Sequence, residues 1–189
     1  MGWIQNYRIG IIMAGILKVD KYQDFNGNDI MTSDGAGNIT LNNAALKMTP
    51  SFFAYLSSNQ SFTQNINTKV QFQSELYDTD SCYDNTTNYR FTPTVAGKYF
   101  FFTGLYIDGT TTSSPTGSYF YKNGTKWSVG LLYSGGLAGQ QTSNIILDMN
   151  GSSDYVEVYV NSGNPSPFLQ ATAGGQMSSY FGGYKIIGA

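Results

Sequence analysis

The segment Phe91-Thr-Pro93-Thr-Val-Ala-Gly97-Lys98-Tyr99-Phe100-Phe101-Phe102-Thr103-Gly104-Leu105-Tyr106-Ile107 decides the fold of this 189-residue chain. Pro93 and Gly97 punctuate its start, and the aromatic run that follows reads as a turn feeding a strand. With a two-residue period, Tyr99, Phe101, Thr103, Leu105 and Ile107 share one face, and Phe100, Phe102, Gly104 and Tyr106 share the other. Both faces are apolar, so neither suits water. A sandwich strand buries one face in its own core. The second face needs another cover, and an identical neighbouring subunit is the economical one.

Composition agrees with such a strand. Hydrophobic residues make up 41% of the chain and charged residues only 12%, about half the usual share of roughly 25%. Gly (22), Tyr (15) and Phe (12) take their place, which suits an extracellular or virion surface built from uncharged polar groups. The net charge is −2 with no basic cluster, so nucleic acid is a poor partner. The run Ile9–Val19 is too short to span a bilayer, and without a convincing cleavage site it reads as a strand or anchoring arm rather than a secretion signal. Cys82 is the single cysteine, so no intrachain disulfide forms.

Residues 16–47 have their own rhythm. Ile16–Val19, Ile30–Thr32 and Ile39–Leu41 read as short strands, separated by turns at Asp24–Asp29 and Asp34–Asn38. Three such strands bury little apolar area alone and require partners. Pro50 marks the expected boundary between an N-terminal arm or stem (1–49) and a head (50–189). From Ser51 onward short strands alternate with turns. In Lys69–Tyr77, Val70, Phe72, Ser74 and Leu76 are expected inward and Tyr77 outward. Asn123-Gly124 is a hairpin turn, Ile145, Leu147 and Met149 point inward, and Val156, Val158 and Val160 point inward against Tyr155, Glu157 and Tyr159. This predicts an all-β sandwich of the jelly-roll kind.

Residues 51–189 resemble the globular C1q domain of the C1q and tumour-necrosis-factor superfamily. The resemblance is carried by Phe53-Ala-Tyr-Leu-Ser57, Val70-Gln-Phe72 through Leu76-Tyr77, Tyr83-Asp84, Phe91-Thr-Pro93 to Gly97-Lys-Tyr-Phe-Phe101, Lys122-Asn-Gly124, Ile145-Ile-Leu147, Asp154-Tyr-Val156 and Phe181-Gly-Gly-Tyr-Lys-Ile186. No Gly-X-Y collagen stalk precedes it. Residues 13–47 instead look like the strand-and-turn stems found before such domains in phage tail fibres. The resemblance implies a homotrimeric C1q/TNF-like jelly roll in a bacteriophage virion. Its interface and core strand would use Tyr99, Phe100, Phe101, Phe102, Tyr106 and Tyr184.

Catalytic chemistry is poorly supplied. The chain has no His, which removes Ser-His-Asp and Cys-His machinery and His-based metal sites. Its carboxylates stand in no recognisable motif, so the chain reads as a binder and not an enzyme. The loop Asp24-Phe-Asn-Gly-Asn-Asp29 imitates an EF-hand start but lacks the acidic twelfth position, held by Gly35, and is better read as a turn. Asp78, Asp80 and Asp84 form a denser group and are weak calcium candidates; no other cofactor is expected. Outward tyrosines Tyr77, Tyr83, Tyr119 and Tyr121 are candidate ligand contacts. The expected role is a tail fibre or receptor-binding head that attaches to a host surface glycan or protein. Other virion proteins would hold residues 1–47, and no nucleic acid or membrane would be bound. Its alternatives are a capsid decoration or cement protein, and a secreted C1q-like lectin.

Overall fold

Short strands joined by hydrogen-bonded turns make up the chain in the computed structural model, which describes residues 19–42, 47–108, 115–128, 130–133 and 138–188. The chain divides into two compact units, residues 1–43 and 44–189, a few residues ahead of the boundary expected at Pro50. The expected strand at Ile16–Val19 and the arm at Ile9–Val19 lie almost wholly outside the described residues.

In the first unit, β1 (Lys21–Gln23), β2 (Asp29–Ser33) and β3 (Ile39–Leu41) form an antiparallel meander. Its turns are made by carboxylates. Asp24 accepts the backbone N–H groups of Asn26 and Asn28 at 2.9 Å each and the Asn28 side-chain amide at 2.8 Å. Asp34 repeats this with Ala36 and Asn38. These bonds hold both carboxyls below their ordinary range. The loop that imitates an EF-hand is therefore a self-satisfied turn, closed by Gly27 at φ 83°. Among its described residues this unit buries none fully.

In chain order the second unit contains β4 (Ser51–Tyr55), β5 (Gln60–Ser61), β6 (Thr68–Lys69), β7 (Ser74–Asp78), β8 (Tyr83–Asp84), β9 (Arg90–Phe91), β10 (Gly97–Asp108) and β11 (Pro115–Lys122). There follow β12 (Thr125–Lys126), β13 (Gly130–Tyr133), β14 (Gly139–Met149), β15 (Val156–Ser162), β16 (Phe168–Leu169), β17 (Thr172–Ala173), β18 (Gln176–Met177) and β19 (Tyr180–Lys185). The first sheet runs β5-β16-β10-β19-β4-β7, with β14 along the other edge of β10. The second runs β12-β11-β15-β9-β8, with β13 on β11 and β6 on β15. All pairings are antiparallel, and no helix occurs among the described residues. The hairpin turn lies at Asn123-Gly124, both at positive φ, as the Asn-Gly pair predicts.

The core lies between these sheets and is aromatic. Phe52 stacks on Phe91 at 4.4 Å and meets Phe181 edge-on at 4.8 Å. Phe181 also touches Phe72, Phe101 and, across the sandwich, Phe120 at 5.9–6.1 Å. Val156, Val158 and Val160 are fully buried, as their alternation predicts. Tyr99, Phe101, Leu105 and Ile107 of β10 face this core, with Thr103 among them donating to the Tyr180 carbonyl at 2.7 Å. Gly183 stands opposite Phe101, and a Cβ there would lie 2.6 Å from the Phe101 ring, so the glycine makes room for that side chain.

Leu76 departs from the expected alternation. The register of β7 against β4 slips between Phe53 and Ala54, pairing them with Tyr77 and Glu75. This bulge turns both Leu76 (62% exposed) and Tyr77 (47%) away from the core, while Val70 and Phe72 stay buried as expected.

Because Phe181 bridges both sheets, Phe181→Ala should lower stability by about 3–5 kcal/mol. Chemical denaturation would show this as a lower midpoint with unchanged slope.

Candidate assembly interface

The second face of β10 forms an aromatic surface on the outside of the sandwich. Phe100, Phe102 and Tyr106 alternate with the core residues and are only half-buried. Phe102 lies 6.1 Å from Phe100 and 6.0 Å from Phe53 of β4, and Phe100 lies 5.6 Å from Tyr184 of β19. Phe53 stacks on Tyr180 at 5.4 Å. Glycines underlie these rings. A Cβ on Gly104 would meet the Tyr180 ring at 2.5 Å, and one on Gly182 would run into the Phe102 ring, its Cε2 at 2.9 Å. The aromatic layer therefore lies flat on bare backbone at both positions.

Both edges of the sheet extend this layer. At one edge the bulge presents Leu76 and Tyr77, with Tyr77 paired opposite Phe53. At the other, Ile146 of β14 (55% exposed) pairs opposite Phe100. An apolar surface thus crosses five strands, β7-β4-β19-β10-β14, and the side chains of its own unit cover it only in part.

The residues expected at an interface separate into two groups. Phe100, Phe102, Tyr106 and Tyr184 lie on this surface; Tyr99 and Phe101 are core. Phe53, Tyr180, Leu76 and Ile146 were not anticipated there. Splitting Ser51–Tyr55 by the strand period, as for β10, would have found Phe53. Leu76 had no sequence signal, because the bulge reverses its direction.

The same bulge gathers carboxylates at the β7 edge. Glu75 and Asp78 pair with the buried Ala54 and Phe52. Asp78 accepts the Tyr83 N–H through Oδ2 at 2.7 Å, while its buried Oδ1 has no partner. Burial, and then the charge of Asp78, push the Glu75 carboxyl above its ordinary range. Asp84 accepts the Thr86, Thr87 and Asn88 N–H groups at 2.8–3.1 Å, which holds it well below the usual carboxylate range. Its oxygens serve their own turn, and among the described residues no three His, Cys, Asp or Glu side chains are grouped to hold a metal ion. The geometry therefore lends no support to calcium at Asp78, Asp80 and Asp84. Cys82 is buried, and burial pushes its thiol up, so the chain offers no exposed thiol there.

The candidate tyrosines do not act together. Tyr83 is 6% exposed and stacks on Phe52 at 5.1 Å, so it belongs to the core and not to a ligand surface. Tyr77 belongs to the aromatic surface of the first sheet. Tyr119 is 7% exposed on the outer face of the second sheet, with Lys126 Nζ 3.6 Å above its ring. Tyr121 lies on that same face, half-buried, with its ring 4.1 Å from that of Tyr159. Beside them Glu157, expected outward, is buried and pairs with Lys69 at 2.5 Å.

No protein-family model matches the chain, and no curated protein matches it. Its fold does match solved structures. The globular domain of zebrafish complement 1qA protein aligns with TM-score 0.53 at 16% identity, covering 73% of this chain and 98% of that one. Murine APRIL aligns with TM-score 0.54 at 10% identity, covering 72% and 98%. PRD1 vertex protein P5 aligns with TM-score 0.52 at 12% identity, covering 72% and 94%. The head is thus a C1q/TNF-like jelly-roll sandwich. At these identities the likeness is one of fold alone.

The sign of the Glu75 shift gives a pH dependence. A carboxyl whose folded pKa is raised favours the folded state below its unfolded value, and that contribution is lost as pH rises through the raised value. Glu75→Gln should therefore unfold at higher denaturant than the parent at pH 7, an advantage that vanishes below about pH 4.5. Urea titrations across this range would check it; equal midpoints at pH 7 would refute the placement of the charge.

Proposed function

We propose that this chain is a homotrimeric structural protein of a virus particle, whose head attaches to a host surface and acts by binding without catalysis. The aromatic surface of the first sheet carries this reading. Its rings are rigid, contiguous and half-covered, which is the chemistry of a surface sealed by protein rather than wetted. The resemblance to the C1q and tumour-necrosis-factor superfamily favours three copies meeting there. The stem-like pattern of residues 13–47 and the sharing of this fold with PRD1 vertex protein P5 favour a virion over a secreted protein. Residues 1–47 would attach the head to other virion proteins. Repetition of the head then multiplies weak contacts to the host into useful avidity.

A second reading, a decoration or cement protein of the shell, is favoured by the likeness of fold to PRD1 vertex protein P5. The two differ in place. Antibody against residues 50–189 should mark tail tips if the chain is an attachment fibre and the shell if it is cement.

Assembly is tested directly. Light scattering of the full chain should give three times its 20.7 kDa mass. Phe102→Asp, which adds a charge to the aromatic surface without touching the core, should shift most of the protein to monomer at micromolar concentration. A stable, soluble parent monomer would overturn the trimer.

A further inference from the structure

On the opposite sheet, the side chains around Tyr121 form a second surface with different chemistry. The register of β11 against β15 places Tyr119 opposite Tyr159 and Tyr121 opposite Glu157, so Tyr121 and Tyr159 meet on a diagonal. Their centroids are 4.1 Å apart with the planes tilted by 32°, and both rings are half-buried. From the neighbouring loop, Asn67 Nδ2 donates to the Tyr121 hydroxyl at 3.1 Å. Asn161 Nδ2 of β15 donates to Asn67 Oδ1 at 2.9 Å. A chain of two amides and one phenol is thus held beside an aromatic pair, at the outside of the molecule.

This chain leaves hydrogen-bonding capacity unused. Each amide has a second N–H and further acceptor lone pairs, and the Tyr121 hydroxyl, already accepting, still has a proton to donate. Burial, the Glu157 charge and a hydrogen bond to that carboxylate push the Tyr159 hydroxyl up to about 12, so its proton is committed to Glu157 and Tyr159 offers its ring. The nearby carboxylate is answered by Lys69 at 2.5 Å. The result is a set of neutral donors and acceptors in fixed directions next to ring surface, with the Lys126 ammonium 6.0 Å from the Tyr121 centroid. Folding gains little from bonds among such exposed groups, since water competes for them.

We infer that Tyr121, Tyr159, Asn67 and Asn161 form a binding site for a surface saccharide. A pyranose has an apolar C–H face that packs on an aromatic side chain, and adjacent hydroxyls that each donate and accept. Planar amides match such hydroxyl pairs. Because the amides and rings hold one another in place, little side-chain freedom is lost on binding. A protein partner would instead need a broad apolar patch, and the chain's large apolar surface lies on the other sheet. The site rests on the reading of the chain as an attachment head, and it identifies the host group that head would grip.

The test is retention of the full chain on an array of immobilised neutral and acidic saccharides, with oligomer mass measured on the same sample. The parent should be retained by at least one saccharide class. Asn67→Ala combined with Asn161→Ala should weaken retention at least tenfold, and Tyr159→Ala should do the same, with oligomer mass unchanged. Should Tyr159→Ala misfold, the amide pair, which lies at the surface, still decides. Retention of no saccharide, or retention untouched by the amide changes, overturns the site. A trimer without saccharide binding defeats only this inference; a monomer that still binds defeats only the trimer.

Discussion

Strand β10 must be covered twice, and the rest of the head is organised by that demand. Its Tyr99, Phe101, Leu105 and Ile107 are buried in a core that closes through Phe181 and Phe120. Its Phe100, Phe102 and Tyr106 remain on the opposite side among Phe53, Tyr180 and Tyr184. Burying large aromatic side chains is worth about 1.5–3 kcal/mol each, so a surface with several of them half-covered retains a strong drive to associate. The glycines opposite these rings serve the same end, because they let the aromatic layer lie close to the sheet.

The two sheets therefore divide the labour of the head. One presents a broad apolar surface that extends to both of its edges through Leu76, Tyr77 and Ile146. The other presents tyrosines whose environment is polar: Lys126 covers Tyr119, Asn67 holds Tyr121, and Arg90 lies 4.3 Å over Tyr155. Aromatic residues alone do not distinguish the two surfaces. Their neighbours do, through the hydrogen bonds and cations that either occupy a ring or leave it to another molecule.

Charge is scarce in this chain, and several of its carboxylates serve as backbone acceptors. Asp24, Asp34 and Asp84 each close a turn by accepting several N–H groups. The pattern that resembles a cation-binding loop is explained by this use, since an oxygen engaged in its own turn is not free to ligate. Glu75 and Asp78 have a different setting: the β7 bulge brings both against buried positions of β4.

Much of the fold was legible in order along the chain. Period-two alternation sorted β10 into two faces and identified the three inward valines of β15, because the two sides of a strand are fixed by backbone geometry. Asn123-Gly124 announced its hairpin, and the Asp-rich turns of the first unit stood where their short polar residues placed them. The tertiary structure alone decided which apolar face became core and which became surface, since both faces of β10 read alike. It also reversed Leu76 through a register slip, buried Tyr83 against Phe52, and brought Asn67 to Asn161 from 94 residues away. Alternation is a local property that a single strand carries by itself. Bulges, burial and side-chain meetings depend on which strands become neighbours, and no local pattern records that.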